Sequence, residues 1–300
     1  MRKKLKKQAK EEKMKNRIIK IIFVAAAFVF WVALMTVSSS AKDFKYDFPE
    51  GAAPVNVTLD GRSVLDGEAA IINSVTYVPL RSFSEISDAQ SILWDAKTQT
   101  ATVKKYNMVA KISQNKKYVE ASGRYFYLDN EIKNIDNRLF IPVRIAAKLF
   151  CIDVDWNNQT RTVVLKSTTE SFKTADEFYD SGELYWLSRI ISAEAAGEPL
   201  LGKIAVGNVV LNRKEHKSYP NTIYGVIFDR KNGTQFSPVS FGTIYNTPTA
   251  ESVIAAKICL EDYSVSDTIL FFMNPKIATN NWISQNRPFA FRIGNHYFYN

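Results

Sequence analysis

The chain has 300 residues, enough for two domains with sizeable cores, and a formal net charge of +9. That charge is local: residues 1–20 hold ten Lys/Arg and two Asp/Glu, so the remainder carries 29 basic and 28 acidic residues. A body so nearly neutral gives no case for nucleic-acid binding, and two cysteines give none for a disulfide framework.

After the basic segment comes IIFVAAAFVFWVALMTV, Ile21 to Val37, without a charge. The run is long for a signal-peptide core and short for a spanning helix. Ile18 and Ile19 extend it to spanning length if Lys20 snorkels to the headgroups. The preceding Lys/Arg cluster stays inside, which sends the rest of the chain outward. We therefore predict a single-pass membrane anchor at 21–37. Ser39 and Ala41 also suit a signal peptidase, so a cleaved, secreted form is the alternative. In either form residues from about 43 onward work outside the cytoplasm. Residues 38–54, with Pro49 and Pro54, read as a linker.

A repeat follows. Tyr77-Val78-Pro79-Leu80-Arg81 answers to Phe140-Ile141-Pro142-Val143-Arg144, Trp94 to Trp156, and Gly61-Arg62 to Gly123-Arg124. Each copy passes through short alternating apolar segments, a Pro-led helix, then Trp and a Thr/Val-rich strand. The pattern predicts a β-rich, pseudo-duplicated module over 55–166. These residues resemble the copper amine oxidase N-terminal-like domain found in secreted proteins of Gram-positive bacteria. Copper sites lean on imidazole or thiolate ligands, and the two histidines, His216 and His296, both lie outside the module. We expect no metal and no cofactor. The module reads as wall-binding or as a spacer. Tyr106, Tyr118 and Tyr125 are either sugar-stacking or core aromatics. Cys151 and Cys259 sit in apolar runs and read as small buried hydrophobes. Residues 167–182 return to Ser, Thr and acidic composition, a second linker.

The last region, 183–300, opens on GELYWLSRIISAEAAGEP. On a helical wheel Leu184, Leu187, Ile190, Ile191 and Ala195 share one side, and Tyr185, Ser188, Arg189 and Ser192 the other. Glu194 falls among the apolar residues. A carboxylate there loses water, which disfavours its charged form, and a carboxyl kept protonated near neutrality is what a general acid requires. The plainer alternative has Glu194 rimming the core beside a basic side chain. Pro199 suits the first turn of a second helix reaching about Arg213. Glu198, just before it, reads as a carboxylate capping that helix. A third helix follows Pro248, with Val253, Ala256, Cys259 and Leu260 as its inner face. Strands are predicted over Thr268–Met273 and Ile293–Tyr299.

The strings SAEAAGEP, GKIAVGNVVLNR, YPNTIYGVIF, QFSP, FFMNP and IGNHYFY, in that order, resemble the spore cortex-lytic cell wall hydrolases of the SleB/CwlJ type. The resemblance covers about residues 184–299. It implies a lysozyme-like, mainly helical domain with a small β element, so the whole chain is predicted to be α+β. It also implies peptidoglycan glycan strands as substrate and places the family's catalytic glutamate on Glu194. With one convincing carboxylate, the implied chemistry is that of a lytic transglycosylase. Hydrolysis by a muramidase or glucosaminidase, or wall binding without catalysis, are the alternatives. Gln235, Ser237, Asn274 and His296 are the polar side chains we assign to the sugar groove, although His296 equally suits a strand end packed on the core.

Overall fold

The protein is described here from a computed structural model covering residues 44–231 and 233–300. The basic segment 1–20, the predicted anchor 21–37 and the first part of the linker read over 38–54 lie outside them. No helix among the described residues is long and apolar enough to cross a membrane.

Short strands dominate the first half because its apolar residues alternate and Val, Ile and Thr suit a pleated surface. The first copy of the repeat runs β1 (Ala53–Pro54), β2 (Asn56–Leu59), β3 (Arg62–Val64), β4 (Ala70–Ile72), β5 (Val75–Pro79), α1 (Leu80–Ile86), β6 (Ser91–Asp95) and β7 (Thr100–Lys105). After β8 (Met108–Ser113) the second copy gives β9 (Tyr118–Ala121), β10 (Arg124–Tyr127), β11 (Lys133–Ile135), β12 (Arg138–Pro142), α2 (Val143–Phe150), β13 (Ile152–Asn157) and β14 (Thr162–Ser167). In β8, Met108, Ala110 and Ile112 are buried while Val109 and Lys111 face out. Pro79 and Pro142 each stand just before a helix, where their fixed φ and missing N–H end the ladder without breaking the helix.

The repeat is also the symmetry of the sheet. β5 and β12, equivalent in the two copies, pair antiparallel with Val78 opposite Ile141. The sheets run β1-β4-β5-β12-β11, β10-β9-β8-β7-β6 and β13-β14-β2-β3. All three combine strands of both copies. Their side chains enclose one core, with Val57, Phe83, Met108, Ile112, Phe126 and Leu165 at its centre. Phe172, in the stretch read as a linker, is buried in that core too.

The second half is mostly helical, through α3 (Ala175–Phe178), α4 (Ser181–Ala195), α5 (Leu200–Glu215), α6 (Ile223–Ile227), α7 (Ser237–Phe241), α8 (Ala250–Leu260) and α9 (Trp282–Asn286). One small sheet closes it, β15 (Phe271–Met273), β17 (His296–Tyr299) and β16 (Phe289–Ile293) in that order across the sheet. The molecule is therefore α+β as predicted. The stretch predicted as a strand from Thr268 narrows to Phe271–Met273, and the final run is the second arm of a hairpin.

A second core gathers Leu187, Ile190, Ile191, Ile204, Val209, Ile258 and Phe298. α4, α5 and α8 pack so closely that a Cβ on Gly207 would meet Cys259 Sγ at 2.6 Å and Ile191 Cδ1 at 2.9 Å. This corrects two expectations. Ser188, assigned to the polar side of α4, is buried, its hydroxyl donating to the Tyr185 carbonyl. Val253 and Leu260 of α8 are only half-buried, and Ser252, Ala255, Ala256, Ile258 and Cys259 are the enclosed positions. Small residues and Ile258 fill the place where three helices meet, while Val253 and Leu260 turn partly outward. Cys151 and Cys259 are both unpaired.

Residues 45–300 form a single compact unit, and α8 is where the two cores just described meet. Arg124 on β10 donates from Nε and Nη2 to the two oxygens of Glu261, each at 2.7 Å. Tyr179 donates its hydroxyl to the same carboxylate at 2.7 Å. Lys257 donates to the Gly123 carbonyl, and Tyr263 to Asp129. Ser122 and Gly123 both take positive φ in the tight β9–β10 turn, and a Cβ on Gly123 would lie 2.9 Å from that of Ala175. Glycine is required there by conformation and by space. Tyr118 and Tyr125 stack edge to face at 5.3 Å and pack on the second core, so they belong to the junction, whereas Tyr106 is exposed.

Glu261 is only 4% exposed at its side chain, so removing its cation leaves a buried charge. Breaking such a pair costs about 3–5 kcal/mol. Arg124→Ala should therefore lower the thermal midpoint of the full chain by roughly 6 °C or more, at about 2–4 °C per kcal/mol. An unchanged midpoint would show the junction to be held by packing alone.

Candidate functional site

α4 starts cleanly because the Asp180 side chain accepts the Glu183 N–H at 2.8 Å, satisfying one of the free donors of its first turn. It ends at Ala195, four residues before Pro199, the extended residue that leads into α5. Glu194 thus occupies the last turn, within reach of solvent but half-buried among apolar neighbours. It has no hydrogen bond or ion pair among the described residues. Burial pushes its carboxyl up to about 7, with the Arg213 guanidinium pulling the other way. A group in that state is protonated for part of the time at neutral pH and can both donate and accept a proton.

Arg213, on α5, is 5% exposed. Its Nε donates to the Leu270 carbonyl at 2.7 Å, and its Nη1 is buried with no partner among the described residues. The guanidinium lies over the rings of Tyr219, Phe236 and Phe271 at 5.1, 5.2 and 5.4 Å. Glu194 and Asp229 are both close enough to act on its charge. It stands on the apolar side of its own helix, one and two turns beyond Val209 and Val206. That spacing was readable in the sequence, and it identifies a buried cation that the motif strings alone passed over.

From Arg213 a layer of rings continues across the small sheet. Phe236 lies 6.4 Å from Phe272, and Phe272 lies 5.3 Å edge to face from His296. Gln235 precedes Phe236 in a loop and donates Nε2 to the Gly233 carbonyl at 3.2 Å. Ser237 follows Phe236 and is exposed at the start of α7. Asn274 stands just beyond β15, its Oδ1 accepting the Lys276 N–H. His296 lies beneath the layer, 6% exposed, with Nδ1 unpartnered among the described residues. Its burial lowers its pKa, with Glu198 opposing. Gln235, Asn274 and His296 are therefore gathered around Phe236 and Phe272, and Ser237 opens to solvent beside them.

Glu198 does not cap α5, whose first turn has no side-chain cap. Its carboxylate instead accepts the Asn295 backbone N–H at 2.9 Å and the Asn295 Nδ2 at 3.0 Å. It ties the β16–β17 turn to the start of α5, and Lys203 donates to its carbonyl. Burial raises its pKa, but the Asn295 bonds outweigh that and hold it below the usual range. Two carboxyls four residues apart are thus driven in opposite directions by their surroundings.

A wall of aromatics extends from the other end of α4. Trp186 meets Phe228, Tyr224 and Tyr245 at 5.0, 5.4 and 6.2 Å. Tyr224, Tyr245 and Phe241 are all exposed. Among the described residues no three His, Cys, Asp or Glu side chains are placed to hold a metal ion.

Residues 197–299 match the family described as Cell Wall Hydrolase, and residues 58–165 the Copper amine oxidase N-terminal domain. Glu194 lies three residues before the first of these spans. The chain is similar to the spore cortex-lytic enzymes of Bacillus cereus (35% identical over 120 residues, 40% of this chain and 45% of that protein) and Bacillus subtilis (33% over 120 residues, 40% and 38%). It spans less than half the length of these curated relatives. Among solved structures it is similar to the catalytic domain of a germination-specific lytic transglycosylase, SleB, from Bacillus anthracis. That match has 34% identity, covers 41% of this chain and 97% of the other, and has a TM-score of 0.37. The catalytic domain of the Bacillus cereus SleB protein matches at the same identity and TM-score, with 92% of it covered.

The raised Glu194 pKa has a consequence that needs no substrate. Between the unfolded carboxyl value near 4.3 and about 7, the folded protein holds more protons than the unfolded one. Stability from this group is therefore lost as pH rises through that window. Glu194→Gln should match wild type at pH 4 and melt progressively higher than wild type from pH 5 to 8. A difference that does not change with pH would mean that the carboxyl is not desolvated.

Proposed function

Because its C-terminal region belongs to the cell wall hydrolase family and is preceded by a copper amine oxidase N-terminal domain, we propose that this protein cleaves the glycan strands of peptidoglycan outside the cytoplasm as a lytic transglycosylase. Membrane attachment through residues 21–37 is part of the same proposal. The observation that carries it is the state of Glu194: half-buried, free of a salt-bridge partner, and held near neutrality by desolvation.

In its protonated form Glu194 donates to the oxygen between N-acetylmuramic acid and N-acetylglucosamine, and that bond breaks as the muramic anomeric carbon takes on oxocarbenium character. The muramic N-acetyl group supports that centre. Glu194, now ionised, accepts the proton of the sugar's own C6 hydroxyl as that oxygen closes on the anomeric carbon. A 1,6-anhydro ring and a free N-acetylglucosamine hydroxyl result, and the carboxyl ends protonated again. Arg213 keeps the intermediate carboxylate from being prohibitively costly in its apolar setting. Gln235, Asn274 and Ser237 are proposed to meet the sugars, with His296 supporting them from below. The exposed rings of Tyr224 and Tyr245 suit the flat faces of further sugars along the strand.

One observation favours a second reading. Asp229 shares the Arg213 charge with Glu194 and would be the second carboxyl needed for hydrolysis by water. Its Oδ1 already accepts the Lys231 N–H at 2.9 Å, which fixes it as part of a turn and weighs towards the single-carboxyl route.

Glu194→Gln keeps shape and removes the dissociable proton, so turnover of purified sacculi should fall by at least about 10²–10⁴-fold with wall binding intact. Wild-type activity should decline on the alkaline side with a midpoint near the Glu194 value of about 7, because the protonated form starts the reaction. Released glycan ends should be 1,6-anhydromuramic acid, which borohydride leaves unchanged. Reducible ends would make the enzyme a hydrolase and direct attention to Asp229. Wild-type rates in Glu194→Gln would remove the central residue of the proposal.

A further inference from the structure

A cavity of about 610 Å³ opens where the β-rich module meets the helical domain. Its size falls within the range of small-ligand sites, and domain junctions are where such sites recur. The floor is aliphatic, formed by Ile71, Val75, Ile145 and Val154. Trp156, 39% exposed, stands at its edge. An indole left open beside a concave apolar surface is a stacking position without an occupant from this chain.

The cavity also holds two cations. Arg144 and Lys148 lie one turn apart on α2, so both side chains leave the same face, and both line the cavity. Both are exposed, and neither pairs with a carboxylate among the described residues. Their nearest equivalents in the fold are otherwise engaged. Arg124 is held by Glu261, Lys257 donates to the Gly123 carbonyl, and Arg81, the counterpart of Arg144 in the first copy, approaches Glu85 at 4.0 Å. Carboxylates line it as well. Asp129, bound to the Tyr263 hydroxyl, and Asp155, paired with Lys166, come from the module. The helical domain supplies Glu261, paired with Arg124, and Asp262, which has no ion pair among the described residues. A ligand that fits therefore carries an anionic end, an aliphatic body and a cationic group. A polyanion such as a polyol phosphate would meet the acidic side at every register.

We propose that this junction cavity binds the peptide stems of peptidoglycan. The stem's terminal carboxylate sits between Arg144 and Lys148, its alanine methyl groups rest on the aliphatic floor and Trp156, and the amine of its diamino acid faces Asp262. The proposal rests on peptidoglycan being the substrate. It adds a second handle on the polymer, built jointly by both domains and apart from the Glu194 cleft. A glycan strand is presented to the cleft with its stems projecting from the same backbone, so a stem held at the junction positions the strand for cleavage.

Calorimetric titration of the full chain with the synthetic tetrapeptide L-Ala-γ-D-Glu-L-Lys-D-Ala tests this directly. Binding is expected at submillimolar concentration. It should weaken at least ten-fold in Arg144→Gln/Lys148→Gln and in Trp156→Ala, and be retained in Glu194→Gln. The tetrapeptide amidated at its C-terminus should bind wild type at least ten-fold more weakly, a comparison that needs no folded variant. No heat at millimolar peptide, equal affinity for the amidated form, or binding of a glycerol phosphate oligomer in place of the peptide would overturn the proposal. Sacculus digestion by wild type, run in parallel, separates the two readings. Digestion without peptide binding sinks the junction site alone, and peptide binding without digestion sinks the glycosidase.

Discussion

One carboxylate holds the two halves of this molecule in register. Glu261 accepts three hydrogen bonds, two from Arg124 and one from Tyr179, and it stands immediately after the end of α8. A charge taken this far out of water is tolerable only when every direction of approach is filled by a donor. The strand β10, the segment before α4 and the end of α8 therefore have to arrive together. Everything described on either side of the junction presupposes that they do.

α8 carries this constraint inward. Its enclosed side, of small residues apart from Ile258, is pressed against α4 and α5, with Cys259 filling the space that Gly207 leaves open. α4 is thus fixed along its length, and the half-buried state of Glu194 follows from where the helix is held as much as from the residues around it. The same packing sets Arg213 opposite, with rings on several sides and one nitrogen unpartnered. Such a cation lowers the cost of a negative charge on Glu194 without forming a salt bridge with it.

What could be read from the sequence divides along a physical line. The Val/Ile-Pro-x-Arg repeat was legible because duplication leaves a near-constant spacing, and the structure turns that spacing into a strand pair in which Val78 faces Ile141. The apolar company of Glu194 was legible because it is a property of one helix. Glu198 was misread because its partner, Asn295, is 97 residues away, and a carboxylate beside a helix start suggests a cap whenever only local sequence is consulted. Arg124 and Glu261 are 137 residues apart, and each taken alone looks like a surface charge. Ser188 looked polar on a wheel because a wheel does not reveal how many neighbours press on a helix.

The near-symmetry of the module has been put to unequal use. Trp94 and Trp156 occupy equivalent places in the two copies, and both remain substantially exposed at 49% and 39%. Trp156 looks into the junction with the helical domain, whereas Trp94, beside the still more exposed Leu93, lies on β6 at the outer edge of its sheet. Since the two sheets that carry these hairpins each interleave strands of both copies, neither copy can close a core by itself. The module is in effect a dimer written in one chain. Only one of its two matching faces has been committed to the helical domain, and the fold leaves the other available.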